Sequence, residues 1–311
     1  MFKGGFCMGG LKFKVIILDG NNLFYRLKAV HDKEKGSAKT IFEVYLQYLN
    51  DFEKVYLEEG GKFYILFDNP VSKSRFRKEI DPEYKSNRLS ESKQFYRELD
   101  FLQALILYYK DNWFLSYKHD FEADDIVFYI LKYFEKDSYT LLVSEDFDWS
   151  RLITDKIILY KNKDFYTKEK FNKDFGFTPS IERVVRYKTI RGDKSDGIVP
   201  GLPNLPKQAL INFVKDKRPL DYIIKNIENI DYFNSDWKAK FLHAKAKIKL
   251  NYALVNFIPL SRREVYDCVF SCKFRKKALN SLLKCSNIKL DFDGRLIESK
   301  SNLFNGFQKE R

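Results

Sequence analysis

Three short apolar runs, each leading into an acid, constrain this chain more than any other feature. Val15-Ile-Ile-Leu18 stops at Asp19, and Phe63-Tyr-Ile-Leu-Phe67 stops at Asp68. Thr140-Leu-Leu-Val143 runs into Ser144-Glu-Asp146-Phe-Asp148. Apolar runs this short, with no polar residue at alternate positions, suit strands buried on both faces, as in a parallel sheet. Between them lie stretches whose apolar residues recur every three or four positions, 40–57 and 98–109 among them, the spacing of amphipathic helices. A fourth run, 157–160, carries no acid at its end and reads as structural. The alternation predicts an α/β fold: a mainly parallel, twisted central sheet with helices on both faces. Ligands of such sheets bind at the carboxyl ends of the strands. The strand-end acids are therefore expected to meet at one edge.

More acids stand in tight groups. In Glu122-Ala-Asp124-Asp125, a helix would put Glu122 and Asp125 on one face and Asp124 about 100° round from Asp125. An acidic first turn also favours a helix N-terminus with no further role. Asp146 and Asp148 alternate by two, so an extended segment points them the same way. Asp193 and Asp196 lie in the basic, Gly-containing turn Arg191-Gly-Asp-Lys-Ser-Asp-Gly197. These groups sit in a chain with 56 Lys and Arg against 43 Asp and Glu, a net charge of +13. Such a chain attracts a polyanion, and clustered carboxylates without histidine suit hard divalent cations. Hydrolysis of a phosphodiester needs an activated water and charge neutralisation at the phosphoryl oxygens, which paired cations about 4 Å apart supply.

Other classes are excluded. No segment approaches the ~20 apolar residues that span a bilayer, and the run 15–18 is too short for a secretory signal. Residues 1–12, with two glycine pairs, read as a flexible leader. Four cysteines with no CxxC pair argue against a zinc site and for free thiols in a reducing cytoplasm. Residues 70–97 interleave Lys73, Arg75, Arg77, Lys78, Lys85, Arg88, Lys93 and Arg97 with Phe76, Tyr84, Phe95 and Tyr96. Cations there would meet phosphates and rings would stack on bases. A basic helical stretch follows at 181–190, and the remainder is helical in pattern and Lys-rich.

Six motifs occur in order: Asp19-Gly-Asn-Asn22, Phe67-Asp68, Tyr84-Lys85-Ser-Asn-Arg88, Glu122-Ala-Asp-Asp125, Ser144-Glu-Asp-Phe-Asp148 and Arg191-Gly-Asp-Lys-Ser-Asp196. Over residues 13–210 the chain thereby resembles the 5′-nuclease superfamily, which includes bacteriophage flap endonucleases and the 5′-nuclease domain of bacterial DNA polymerases. The resemblance implies an α/β nuclease core at 13–180, a helical arch at 70–98, and a helix-hairpin-helix-like and C-terminal helical DNA-binding region at 181–311. It implies that Asp19, Asp68, Glu122, Asp124 and Asp146 serve one metal, with Asp125 supporting. Asp148, Asp193 and Asp196 would serve a second. Lys85 and Arg88 would contact the scissile phosphate, and Tyr84 would stack on a base beside it. Lys73, Arg75, Arg77 and Lys78 of the arch, and Arg191, Lys194 and Lys207 of the hairpin region, would meet DNA.

The implied cofactor is Mg²⁺ in two or more copies, with Mn²⁺ substituting. A K⁺ at the hairpin is put in question by the added Val199 and by Asn204-Leu-Pro206 in place of a glycine pair, since proline removes an amide donor. The implied activity is that of a structure-selective 5′ nuclease, a monomer acting in the cytoplasm. Its substrates would be DNA with 5′ flaps or free 5′ ends and RNA–DNA primers, cut to a 5′-phosphate and a 3′-hydroxyl, with no membrane contact. Two other readings are weighed. A PIN-type ribonuclease should lack the Tyr84-Lys85…Arg88 segment and the Asp193…Asp196 turn. A non-catalytic protein that binds branched DNA would not need the full set of acids.

Overall fold

The computed structural model describes residues 10–33, 39–68, 75–88, 90–117 and 119–286. The chain begins β1 (Phe13–Asp19), α1 (Gly20–His31), α2 (Ile41–Tyr56), β2 (Leu57–Leu66) and α3 (Arg75–Ile80). It continues α4 (Lys93–Tyr109), β3 (Trp113–Ser116), α5 (Ala123–Tyr133), β4 (Thr140–Val143), a 3₁₀ turn (Phe147–Leu152), β5 (Ile157–Lys161) and β6 (Asp164–Tyr166). Helices α6 (Lys168–Phe175), α7 (Ile181–Arg191), α8 (Lys207–Lys215), α9 (Leu220–Lys225), α10 (Ser235–His243) and α11 (Lys245–Val255) follow. The described residues end with α12 (Arg262–Cys268), β7 (Val269–Ser271) and α13 (Lys276–Ser286).

Among the described residues, seven strands form one sheet in the order β6-β5-β4-β1-β2-β3-β7. The five central strands run parallel, and only the edge strands β6 and β7 are antiparallel. Alternate residues of β1 divide the core as the pleat requires. Ile16 and Leu18 join the cluster built on Leu46, Leu49 and Leu102. Val15 and Ile17 join the opposite cluster, with Ile126, Ile130 and Trp149. Each such fully buried side chain contributes about 1.5–3 kcal/mol, so β1 anchors both layers. A third cluster, including Phe171, Phe213, Phe241 and Ile248, unites α6 to α11.

The helices of the first layer start where capping chemistry places them. Thr40 and Glu43 make a reciprocal capping box for α2, and Ser92 caps α4. Three strands go beyond those read from periodicity. β3 is only four residues long. β6 follows Asn162-Lys163, both at positive φ (51° and 60°), the geometry of a two-residue hairpin turn. β7 lies in the region expected to be helical and pairs with β3. Of the segment expected to arch, α3, the turns at 82–88 and the start of α4 are described. Lys73 and most of the leader lie outside the described residues. Among the described residues, no helix is long and apolar enough to cross a membrane.

Candidate active site

The sheet delivers three acids to one edge. Asp19, the last residue of β1, caps α1: its Oδ1 accepts from the Asn22 amide at 2.9 Å. Its Oδ2 accepts from the Ser144 hydroxyl at 2.8 Å. Beyond β4, the Asp146 amide donates to the same Ser144 oxygen at 3.0 Å, and Asp146 caps the 3₁₀ turn through the Asp148 amide at 2.9 Å. Ser144 thus ties two strand ends together. Asp68 follows β2; its amide donates to Asn21 Oδ1 at 2.9 Å, and its own Oδ1 accepts from the Ala123 amide at 2.7 Å, which fixes the start of α5.

Charge divides these acids from the others. Among the described residues no ion pair engages Asp19, Asp68 or Asp146. Burial, and then the neighbouring Asp68, push Asp19 up to about 7. Burial and then Asp148 push Asp146 up to about 6. Asp68 is raised by burial and by Glu122. Lys85 and Arg88 lower Asp68, and Lys188 lowers Asp146, but only in part, so the three carboxylates, none of them in a direct ion pair, remain a site short of positive charge.

The remaining acids each have an internal cation. Lys85 Nζ lies 2.8 Å from Glu122, with its ammonium held above the usual lysine range by Glu122 and Asp196 against the opposing effect of burial. Arg88 Nη2 meets Asp196 at 2.5 Å, and the Tyr84 hydroxyl donates to the other oxygen of Asp196 at 2.9 Å. Lys188, only 4% exposed, pairs with Asp148 and with Asp193, the latter at 2.5 Å. Burial raises both of these carboxyls, but Lys188, joined by Arg151 and Arg77 at Asp148 and by the Ser195 hydrogen bond at Asp193, leaves both lowered. Arg151 Nη2 reaches Asp124 at 2.7 Å; burial and the neighbouring Asp125 and Glu122 still leave Asp124 raised. Arg77 grips both oxygens of Asp125 at 2.8 and 2.9 Å.

The segment carrying Lys85 and Arg88 is docked on the turn carrying Asp193 and Asp196. The Lys85 amide donates to Asp196 O at 2.9 Å, Asn87 Nδ2 to Lys194 O at 2.9 Å, and Arg88 Nε to Ser195 O at 3.1 Å. Lys85 sits at φ 58°, a left-handed conformation uncommon for lysine, imposed where the chain reverses to make these contacts. Asp148, Asp193 and Asp196 each present an oxygen within 4.8 Å of the other two. That all-oxygen donor set, beside three uncompensated acids, fits hard divalent cations.

Two sequence expectations are corrected. Arg77 does not face DNA: it is 2% exposed, with its guanidinium spent on Asp125 and on the carbonyls of Leu254 and Asn256. Tyr84 offers no ring to a base, because it is 3% exposed and packed with Val185, Ile198, Leu254 and Val255. Asp125 stands apart from the uncompensated acids, since both of its oxygens face Arg77 and one also accepts the Ile258 amide at 2.9 Å. Arg75, Lys78, Arg191, Lys194 and Lys207 are exposed. Sequence reasoning missed Ser144, Arg151 and Lys188. The signal for Lys188 was its place on α7, five residues before Asp193, within a run read only as a basic helical stretch.

Residues 14–176 match the family described as the 5′-3′ exonuclease, N-terminal resolvase-like domain. A 5′-3′ exonuclease of Buchnera aphidicola subsp. Schizaphis graminum is 30% identical over 228 residues, covering 70% of this chain and 76% of that protein. DNA polymerase I of Bacillus subtilis is 28% identical over 228 residues, and this chain spans 24% of its length. The fold is that of a bacteriophage T5 flap endonuclease in complex with DNA and metal ions, with a TM-score of 0.65 and 21% identity over 88% of this chain and 99% of the other. The T5 5′-exonuclease with bound zinc gives a TM-score of 0.63 at 22% identity, covering 87% and 97% of the two chains.

Proposed function

This chain belongs to the 5′-3′ exonuclease family, and from that premise we propose that it is a structure-selective, divalent-metal-dependent 5′ nuclease. Its substrates are DNA with 5′ flaps or free 5′ ends, RNA–DNA primers included, and it acts as a monomer in the cytoplasm during replication and primer removal. One observation carries the reading. The uncompensated Asp19, Asp68 and Asp146 and the triad Asp148, Asp193 and Asp196 lie at one edge of a parallel sheet, with Lys85 and Arg88 between Glu122 and Asp196.

The ions of this reading are Mg²⁺, with Mn²⁺ able to substitute. When bound, they supply an activated water and neutralise charge on the phosphoryl group. The rest is the work of the chain. Asp19, Asp68, Glu122, Asp124 and Asp146 hold one position, and Asp148, Asp193 and Asp196 hold the other. Asp125 keeps Arg77 in place and takes no part in holding metal. Lys85 and Arg88 give up part of their pairing with Glu122 and Asp196 to a phosphate, and their charge counts most where negative charge builds in the transition state. Arg75, Lys78, Arg191, Lys194 and Lys207, all exposed, meet the DNA backbone. The docking of Lys85, Asn87 and Arg88 on the 194–196 backbone favours this reading over a PIN-type ribonuclease, a minimal form of which should lack both parts.

The test is cleavage of a 5′-end-labelled flap duplex with and without Mg²⁺, beside Asp146→Ala. Metal-dependent release of the flap at its junction, lost in the variant, is expected. Tight binding without cutting would reassign the chain to proteins that bind branched DNA.

A further inference from the structure

The family match ends at residue 176, yet the acids are also held from well beyond it. Asn251 of α11, 3% exposed, donates through Nδ2 to the carbonyls of Thr189 (3.0 Å) and Val199 (2.8 Å). It thereby clasps the last turn of α7 to the far side of the loop that bears Asp193 and Asp196. Inside that loop Asp193 and Ile198 exchange both backbone hydrogen bonds at 2.8 Å, so the Val199 carbonyl is one residue from the rung that sets Asp193. The last carbonyls of a helix have no partner within it. Here arginines take them at the end of α11: Arg77 Nε on Leu254 O (2.9 Å), Arg151 Nη1 on Val255 O (2.7 Å) and Arg77 Nη2 on Asn256 O (3.1 Å).

The same two guanidinium groups orient the Glu122-Ala-Asp-Asp125 motif. Arg77 holds Asp125 and lies 3.4 Å from Glu122, while Arg151 holds Asp124. The Phe257 ring lies 3.6 Å from the Arg151 guanidinium carbon and keeps it over the motif. The Ile258 amide closes the arrangement on Asp125.

We propose that residues 251–258 form a strut that positions the metal-holding acids, with Asn251 setting the Asp193–Asp196 loop and Arg151 setting Asp124. The proposal rests on the metal-dependent reading above. Asn251 and Arg151 are positioning residues, since each acts on a carboxylate through a carbonyl or an ion pair and both are buried. Partners of this kind, one step removed from a metal, typically change metal affinity 10- to 100-fold when removed.

The experiment is calorimetric titration of the metal-free protein with Mn²⁺, for wild type, Asn251→Ala, Asn251→Gln and Arg151→Lys. Thermal melts and steady-state flap cleavage accompany it. Asn251→Ala is expected to weaken Mn²⁺ binding at least 10-fold and to lower kcat at limiting metal, with KM for the flap within about twofold of wild type. Extra Mn²⁺ should restore kcat, and Asn251→Gln, which keeps the donor, should recover part of the affinity. Arg151→Lys keeps a charge beside Asp124 but cannot also reach Val255 O, so it carries the same expectation should Asn251→Ala fail to fold. Folded variants that bind Mn²⁺ as wild type does, whatever their melting temperature, would overturn the strut alone. A wild type that takes up no Mn²⁺ would overturn the nuclease reading and the strut together.

Discussion

Replacing Arg77 by methionine separates two roles that one basic residue could play. As a DNA contact, Arg77 would be dispensable for folding. Its loss would weaken flap binding and reduce the salt slope of that binding by about one. As placed here, its guanidinium makes four hydrogen bonds, two to Asp125 at 2.8 and 2.9 Å and one each to Leu254 O at 2.9 Å and Asn256 O at 3.1 Å. Removing one partner of such a buried pair strands the other charge and costs about 3–5 kcal/mol. For a chain of this size each kcal/mol lowers Tm by roughly 2 °C, so Arg77→Met should melt about 6–10 °C early. The double variant Arg77→Met/Asp125→Leu removes both charges and should regain much of that loss, leaving two carbonyls and the Ile258 amide to be satisfied. Calorimetric melts of the metal-free protein, with flap affinity at several salt concentrations, read both quantities. An unchanged Tm with a shallower salt slope would refute the internal role and return Arg77 to the DNA surface.

Lys85→Ala should lower kcat about 10²- to 10³-fold with a much smaller change in flap affinity, because its charge serves mainly the transition state; a loss confined to affinity would make it a phosphate anchor. Lys188→Met leaves the buried Asp148 and the half-buried Asp193 without their shared cation, so the metal-free protein should lose about 3–5 kcal/mol. Saturating Mn²⁺ should then stabilise this variant more than wild type in parallel melts, and equal increments would contradict the pairing. Burial holds His119 down to about 4 in the fold, against an ordinary imidazole value of 6.5. The unfolded chain therefore takes up the proton first as pH falls, and stability present above 6.5 is lost progressively down to about 4. Between pH 8 and pH 5 this amounts to about 2 kcal/mol. Urea unfolding of His119→Gln at both values should show that difference removed, and an undiminished pH dependence would assign it to other groups.

The parts of the fold that were legible in the sequence depend on neighbours close along the chain. A strand buried on both faces must be continuously apolar, so β1, β4 and the buried end of β2, with the acids that follow them, could be read directly, whereas the exposed first half of β2 from Leu57 could not; α2 and α7 fall within a residue of the expected limits. What could not be read depends on partners far away. β7 becomes a strand because β3 offers it a free edge more than 150 residues earlier in the chain. Arg75, Arg77 and Lys78 are alike in composition, and only the third dimension spends Arg77 on Asp125, 48 positions on, and on carbonyls 177 and 179 positions on. Arg151 and Lys188 were hidden likewise, 27 positions from Asp124 and 40 from Asp148. Net charge counts these cations as attraction for a polyanion, but Arg77, Arg151 and Lys188 are consumed inside, as counterions to acids that would otherwise repel one another. Once they are assigned, the acids left without a direct ion pair among the described residues are Asp19, Asp68 and Asp146, all raised, a narrower target for a cation than the nine acids the sequence offered. On the proposed reading, the attraction for DNA is left to residues such as Arg75, Lys78, Arg191, Lys194 and Lys207, which are exposed at the surface.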